Sequence, residues 1–285
     1  MTEFGNRLTI DAIRARKRRV GGEPLVMVTA YDFATAQVAE EAGVDLVLVG
    51  DSAAMVVLGY QTTRLVSVDE MLMLTRAAKR GAPESLLVGD LPFGSYESTN
   101  ELAVATARRF ADAGCAAVKM EGGGATVDRA RAVVAAGIPV MGHVGLTPQQ
   151  TGDREGFRVH GRTADGALEI IADARALDTA GCFAIVAEAM PAPVGKAVTE
   201  RVRVPVIGIG AGPDTDGQVL VFHDLVGLYD AHVPRYVKRY AELKRTMIDA
   251  VASYAADVRA CRFPGPQHVY RMEAGEEESL TGRLK

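Results

Sequence analysis

Three acidic residues occupy equivalent places in the sequence, at or just after the end of a short apolar run. Asp51 follows DLVLVG, Asp90 ends LLVGD, and Glu121 follows CAAVKM. Carboxylates gathered in one place repel one another, and a hard divalent cation relieves that repulsion. Ligands that are all oxygen favour Mg²⁺ over zinc or copper. Each residue alone could instead cap the helix that follows it, but their shared placement favours a magnesium site.

Four further polar residues lie at similar places: Ser52 after Asp51, Lys119 within AAVKM, His143 in MGHVGL and Glu188 at the end of FAIVAE. Lys119 could bind a substrate, form a structural salt bridge or form a Schiff base, and neighbouring carboxylates argue against the last because they keep the amine protonated. His143 could donate to a substrate oxygen or be structural. Glu188 is a candidate general base, and capping of the next helix is its alternative role.

These side chains can act together only if the strands that carry them are neighbours. Eight β-rich apolar runs alternate with alanine-rich amphipathic segments, and they span residues 25–30, 45–50, 86–90, 115–120, 139–142, 183–187, 205–209 and 219–226. Continuous apolar runs are typical of parallel strands buried on both faces, and eight strands close a (β/α)8 TIM barrel, whose active site lies at the C-terminal strand ends. An open, doubly wound sheet is the architectural alternative.

Helix signals fill the gaps between these runs. Two pairs have the spacing of a capping box, Ser67 with Glu70 and Ser98 with Glu101. Glycines stand where helices should end, at positions 43, 114, 137 and 181. The glycine-rich segment 208–213 after the seventh run indicates either a phosphate site or a tight turn.

The two ends of the chain lie outside the alternating pattern. Residues 8–19 predict a helix capped by Thr9 that closes the N-terminal end of the barrel, and a long helix is expected over about 234–257. We therefore expect one catalytic domain over residues 1–262, including the N-terminal helix 8–19. The acidic tail 263–285 is expected to be mobile or to form a subunit contact.

Composition excludes several classes of protein. The 285 residues are 48% hydrophobic and 24% charged, as in globular proteins, and the net charge of -4 gives no basic surface for nucleic acid. No apolar run reaches the length of a membrane span, so we expect no membrane partner. Three widely spaced cysteines without a CxxC pair argue against disulfides and zinc, and favour a reducing cytoplasm.

Six segments in order carry a resemblance to a known family: TAYDFATAQVAEEAGVDLVLVGDS, LLVGDLPFGSY, AVKMEGG, VMGHVGLTPQ, AEAMP and IGIGAG. Over roughly residues 8–262 the chain resembles the ketopantoate hydroxymethyltransferases. The resemblance implies a barrel of the phosphoenolpyruvate/pyruvate type, a Mg²⁺ ion, and homo-oligomers that are commonly decamers. It also implies transfer of a hydroxymethyl group from 5,10-methylenetetrahydrofolate to 3-methyl-2-oxobutanoate through a magnesium-stabilised enolate, which gives ketopantoate for pantothenate and coenzyme A biosynthesis.

The resemblance also implies roles for individual residues. Asp51 and Asp90 match metal ligands that also meet the substrate, and Glu121 matches a third carboxylate that binds the metal directly or through water. Ser52 and Lys119 match substrate contacts, and Glu188 matches the proton acceptor, while His143 remains a candidate substrate contact from its position alone. A magnesium-dependent lyase or aldolase acting on another 2-oxo acid, or a non-catalytic oligomer that binds small acids, are the alternatives.

Overall fold

Eight parallel strands form a closed barrel in the computed structural model, which describes residues 8–17, 23–151, 159–230 and 233–285. Each strand pairs with the next, and the eighth pairs with the first. The strands are β1 Leu25–Thr29, β2 Leu46–Val49, β3 Leu86–Asp90, β4 Ala117–Glu121, β5 Val140–Gly145, β6 Ala184–Glu188, β7 Val206–Ile209 and β8 Gly217–Leu220. The closed order confirms the predicted (β/α)8 barrel and excludes the open sheet.

Twelve α-helices are present in the described part of the chain. They are α1 Ile10–Ala15, α2 Phe33–Glu41, α3 Ala53–Val56, α4 Val68–Gly81, α5 Asn100–Asp112, α6 Ala125–Ala135, α7 Pro148–Thr151, α8 Ala164–Ala180, α9 Ala192–Arg201, α10 Phe222–Leu225, α11 Leu243–Arg259 and α12 Glu276–Arg283. Short 3₁₀ helices cover Thr63–Leu65 and Pro266–His268. None of the helices in these ranges is both long and apolar enough to cross a bilayer.

The barrel strands are buried on both faces, which explains their continuous apolar sequences. In β2, Leu46 and Leu48 belong to the cluster that fills the barrel interior, whereas Val47 and Val49 pack outward against the helices. Alternate residues of a strand point to opposite faces, so a strand enclosed by a packed interior and by helices needs apolar residues at every position.

Helix α1 closes the N-terminal end of the barrel. Thr9 caps it by accepting a hydrogen bond from the backbone N–H of Ala12, as predicted, and Ile13 is fully buried within the interior cluster. The helix ends at Ala15, earlier than the predicted residue 19, and residues 18 and 19 lie outside the described part. A buried ion pair between Lys17 Nζ and Asp216 Oδ2, 2.6 Å apart, joins the segment after α1 to the start of β8.

Most predicted helix ends are correct, and one is wrong. Ser67 and Glu70 form the predicted capping box of α4. The four predicted glycines all have positive φ at the ends of helices, at positions 43, 114, 137 and 181. The second capping box is wrong, because Thr99 and not Ser98 caps α5, through a hydrogen bond from the N–H of Leu102.

Two element boundaries near the C-terminus also differ from the predictions. The predicted eighth strand 219–226 is a strand only to Leu220, and α10 follows it because the N–H of Phe222 donates to Thr29 Oγ1 at 2.9 Å and starts a turn. The predicted helix 234–257 begins only at Leu243. Before it, tertiary hydrogen bonds such as Tyr240 N–H to Leu225 O hold an irregular segment.

Candidate active site

The C-terminal ends of neighbouring strands bring the predicted polar residues together. Strand pairing places Asp90 beside Lys119. The same pairing places Glu121 beside His143, and Gly145, at the end of β5, beside Glu188. The carboxylates therefore come together at one mouth of the barrel, as the sequence predicts.

Lys119 is the ion-pair partner of two of these carboxylates. Its Nζ lies 2.7 and 2.8 Å from the two oxygens of Asp90 and 3.4 Å from Glu121 Oε1, and its side chain is only 5% exposed. Burial lowers the pKa of Lys119, but Asp90 and Glu121 outweigh burial and hold the pKa above its ordinary value. The amine is therefore held protonated, which disfavours its use as a Schiff-base nucleophile.

Asp51 has no cation in direct contact among the described residues of the mouth. Its backbone N–H donates to Asp90 Oδ2 at 3.2 Å, and its Oδ2 accepts from Gln149 Nε2 at 2.9 Å. Burial, together with the charges of Asp90 and Glu121, raises the pKa of Asp51 well above its ordinary value. The mouth thus contains more carboxylate than its own cations balance.

His143 lies between the carboxylates of two strands. Its Nδ1 is 3.3 Å from Glu121 Oε1 and its Nε2 is 3.2 Å from Glu188 Oε2, and these are ion-pair contacts, not well-aligned hydrogen bonds. Burial and Lys119 lower the pKa of His143, but Glu121 and Glu188 outweigh them and raise it to about 9. An imidazolium therefore joins Glu121 to Glu188 at neutral pH.

Ser52 is placed by a tyrosine that the sequence analysis did not single out. The hydroxyl of Tyr31, two residues after β1, lies 2.8 Å from Ser52 Oγ, and Tyr31 is fully buried. Ser52 is only partly buried and makes no capping hydrogen bond to α3, which it precedes. The predicted substrate contact is thus positioned next to Asp51 and is not used as a helix cap.

Glu188 is followed by a backbone conformation that is rare for its residue type. Ala189 has a φ of +47°, and its N–H donates to Ile209 O while its carbonyl accepts from the N–H of His160. A non-glycine residue in this region costs about 1 to 3 kcal/mol, and such residues cluster at functional sites. Hydrogen bonds from two neighbouring segments hold this bend directly after the candidate base.

Two further residues of the mouth went unrecognised in the sequence. Gln149 in α7 and Tyr96 after β3 are both completely buried and hydrogen-bond to each other. Gln149 also donates to the carboxylates of Asp51 and Glu121, and the Tyr96 hydroxyl contacts the backbone of Glu121. Gln149 lies in the segment TPQQ, directly after the run that contains His143. Its position after a strand end was the available signal, but a neutral side chain does not stand out as a carboxylate does.

The residues present fit a divalent cation, although they do not form a ready-made cage. Among the residues that the structure describes, no group of three His, Cys, Asp or Glu side chains has the arrangement of a metal cage. Magnesium usually binds through one or two carboxylates and completes its shell with water and substrate oxygens, so a cage of three protein ligands is not required. The surplus of buried carboxylate around Asp51 is what such an ion would neutralise.

The glycine-rich segment after β7 is a turn. The chain passes from β7 to β8 through residues 210–216 without a helix, so no helix N-terminus is available there for a phosphate. Gly210 and Gly212 have positive φ, and a Cβ at Gly210 would overlap the ring of Tyr236. Close packing and backbone geometry explain these glycines.

Comparison with known proteins identifies the family. The family model described as ketopantoate hydroxymethyltransferase matches residues 7–266. The chain belongs to this family. The 3-methyl-2-oxobutanoate hydroxymethyltransferase of Geobacillus kaustophilus (strain HTA426) is 48% identical over 262 residues, which are 92% of this chain and 94% of the relative. The protein of the same name from Oleidesulfovibrio alaskensis (strain ATCC BAA-1058 / DSM 17464 / G20) is 49% identical over 280 residues, 96% of each chain.

Solved structures with low sequence identity share the fold of this family member. A phosphonopyruvate hydrolase complexed with oxalate and Mg²⁺ superposes with a TM-score of 0.61 at 15% identity and covers 97% of both chains. A 2,3-dimethylmalate lyase of the PEP mutase/isocitrate lyase superfamily has a TM-score of 0.54 at 16% identity, over 98% of this chain and 99% of its own. These likenesses agree with the predicted barrel fold.

Proposed function

We propose that this transferase adds a hydroxymethyl group, supplied by 5,10-methylenetetrahydrofolate, to 3-methyl-2-oxobutanoate, and so makes ketopantoate for pantothenate and coenzyme A synthesis. The observation that carries the proposal is the contact of Glu188 with His143, which in turn meets Glu121 in the carboxylate cluster. A proton acceptor and a cation-attracting cluster thereby share one mouth. Membership of the family and the names of the relatives support the same activity.

The chain's own residues supply the acid–base chemistry in this proposal. Glu188 removes the proton from C3 of the keto acid, and His143 keeps that carboxylate oriented through its Nε2 contact at 3.2 Å. Lys119 and Ser52 bind the substrate, and the resulting carbon nucleophile attacks the methylene carbon carried by the folate. Both carbon–nitrogen bonds of that methylene break, water supplies the hydroxyl oxygen of the hydroxymethyl product, and tetrahydrofolate leaves with the two protons given up by the keto acid and the water. Lys119 and His143 are buried, which strengthens their interactions with the neighbouring carboxylates.

Asp51 and Asp90 would hold magnesium in this scheme, with Glu121 as a direct or water-mediated third carboxylate. When bound, the ion supplies positive charge beside the keto oxygen as negative charge develops there. Asp51, Asp90, Lys119 and His143 stay candidate substrate contacts.

The proposed proton removal can be tested without the folate. The keto acid is incubated with enzyme in deuterated buffer, with Mg²⁺ or with a chelator, and loss of the C3 proton signal is followed by NMR. We expect exchange with the native chain and Mg²⁺, and a loss of at least about 100-fold in Glu188→Gln, since a positioned general base contributes about 10² to 10⁴ in rate. Glu200→Gln, at an exposed glutamate of α9, is the matched control.

Two outcomes would contradict this scheme. If the rate of C3 proton exchange is the same with and without Mg²⁺ and is unchanged in Glu188→Gln, Glu188 is not the general base. Exchange without folate-dependent product formation would favour the lyase or aldolase alternative, because the same proton removal serves any such reaction.

Assembly and location belong to the same proposal. Helix α11 has no buried residue and exposes apolar side chains such as Met247, Ile248, Val251 and Tyr254, which supports a homo-oligomer, with ten subunits expected from the family resemblance. The tail 263–285 would then lie at a subunit contact. Light scattering coupled to size exclusion gives the subunit number. A cytoplasmic location is proposed from the three free cysteines.

A further inference from the structure

Gln149 is the point at which three strand ends of the mouth are joined. Its Nε2 donates to Asp51 Oδ2 at 2.9 Å and to Leu91 O at 3.0 Å, and its backbone N–H donates to Glu121 Oε2 at 3.1 Å. Asp51 follows β2, Leu91 follows β3 and Glu121 ends β4. One fully buried residue therefore contacts two carboxylates of the cluster from a helix that follows β5.

Tyr96 fixes which way the amide of Gln149 faces. The Tyr96 hydroxyl accepts from the backbone N–H of Glu121 at 3.2 Å. Its oxygen lies 2.7 Å from Gln149 Oε1 and 3.4 Å from the carbonyl oxygen of Glu121, so the shorter and stronger of its two donor contacts is the one to Gln149. The amide then presents its NH₂ group to Asp51 and Leu91. The carbonyl of Leu91 can only accept, so the atom facing it must be a donor, and this independently requires the same amide orientation.

The hydrogen-bonding groups of the Gln149 side chain are used within the protein. Both N–H bonds of the amide and its oxygen have partners, and the side chain is completely buried. It therefore acts on the site through the carboxylates it holds and does not itself touch a substrate. Only Oδ2 of Asp51 takes part in this network, so its Oδ1 remains outside the contact with Gln149.

We propose that Gln149 and Tyr96 are positioning residues that hold Asp51 and Glu121 in the arrangement that binds the divalent cation. This inference rests on the proposed function, since it assumes that these carboxylates bind the metal. Partners that orient metal ligands typically contribute about 10- to 100-fold in metal affinity or activity. A free carboxylate would instead have to be ordered when the ion binds, which weakens binding.

The test measures metal affinity directly. Mn²⁺ serves as the probe because it prefers the same oxygen ligands as Mg²⁺, and its binding to the full chain in the absence of substrate is followed by calorimetry or electron paramagnetic resonance. We expect Gln149→Met, which keeps the length of the side chain and removes its hydrogen bonds, to raise the Kd for Mn²⁺ about 10- to 100-fold. Tyr96→Phe keeps the ring and Gln149, so it should raise the Kd by a smaller factor, at the low end of that range, about 10-fold.

Thr106→Val is the matched control for general loss of a buried hydrogen bond. Thr106 is buried, and its hydroxyl donates at 2.6 Å to the backbone carbonyl of Ser95, the residue before Tyr96, and not to a carboxylate. We expect native Mn²⁺ affinity in this variant, whatever it loses in thermal stability. Thermal unfolding in chelator shows that each variant is folded, and Tyr96→Phe keeps the test informative if Gln149→Met does not fold.

The outcomes separate this inference from the proposed function. If the native chain binds no Mn²⁺, the metal site of the proposed function is wrong. If the native chain binds Mn²⁺ and both Gln149→Met and Tyr96→Phe bind it equally well, the positioning role is overturned. An equal loss of affinity in Thr106→Val would also overturn it, because the effect would then come from general destabilisation.

Discussion

Replacing Lys119 by methionine tests whether the mouth of the barrel has a surplus of carboxylate. The change keeps the length and apolar stem of the side chain but removes the ammonium that lies 2.7 and 2.8 Å from the two oxygens of Asp90. Removing one partner of a buried ion pair costs about 3 to 5 kcal/mol, because the other charge remains buried. We therefore expect Lys119→Met to unfold at a clearly lower temperature in chelator.

The control is an exposed lysine with a comparable partner. Lys196 Nζ lies 4.0 Å from Glu200 Oε1, and both side chains are more than half exposed. Such pairs contribute about 0 to 1 kcal/mol, so Lys196→Met should change stability little. The ratio of the stability lost in Lys119→Met to that lost in Lys196→Met reports the effect of burial at the mouth.

Added magnesium then tests whether a divalent cation can replace the missing ammonium of Lys119→Met. A ligand at 100 times its Kd stabilises the folded state by about 2.7 kcal/mol, so Mg²⁺ should restore much of the loss in Lys119→Met. The rescue should exceed that in the native chain, because the ammonium no longer competes for Asp90. The assay is thermal unfolding at fixed protein concentration, with chelator or Mg²⁺. Equal stability of Lys119→Met and Lys196→Met in chelator would show that the Lys119 ammonium does not offset buried carboxylate charge at the mouth.

Three further predictions concern other parts of the molecule. Ile13→Ala, in the helix that closes the barrel, should cost about 2 to 5 kcal/mol in urea unfolding, because Ile13 is fully buried, and a loss below about 1 kcal/mol would count against its role. The pKa of His143 is about 9 in the fold, above its ordinary 6.5. Protonated His143 thus contributes on the order of 3 kcal/mol to the free energy of unfolding below about pH 6.5, and this contribution is lost as pH rises through about 9. In metal-free unfolding, the stability difference from His143→Gln should shrink over that range. Burial raises the pKa of Cys115 and Cys182 to about 12, so only the exposed Cys261 should react rapidly with a thiol reagent at pH 8, and three fast thiols per chain would contradict this.

The fold was predictable because strand burial leaves a strong trace in sequence. Every residue of a barrel strand is enclosed, so runs such as LVLV in β2 are continuously apolar. The same signal failed at 219–226, because an apolar run cannot distinguish a strand from a short buried helix, and α10 begins where Thr29 accepts a hydrogen bond from Phe222. The late start of α11 likewise depends on tertiary hydrogen bonds that local sequence does not encode.

The candidate site was predictable only where charge made residues conspicuous. Asp51, Asp90 and Glu121 could be grouped because each stands at the end of a barrel strand. Gln149 and Tyr96 are neutral residues of types that occur both inside and on the surface of proteins, and their hydrogen bonds to the site are visible only from burial and distance. Sequence therefore indicates the charged groups of such a site, and structure is needed to find the neutral groups that orient them.

The charges of the mouth connect metal binding to proton transfer. In the described part of the mouth, four carboxyl groups, of Asp51, Asp90, Glu121 and Glu188, face two cationic side chains, Lys119 and His143. Without a metal, burial and the neighbouring carboxylates raise the pKa of Asp51 and favour its protonated form. A divalent cation balances the two remaining negative charges only if Asp51 gives up that proton, so metal binding should release protons and tighten as pH rises. Because His143 contacts both Glu121 and Glu188, the change in charge on metal binding also alters the electrostatic environment of the candidate base Glu188.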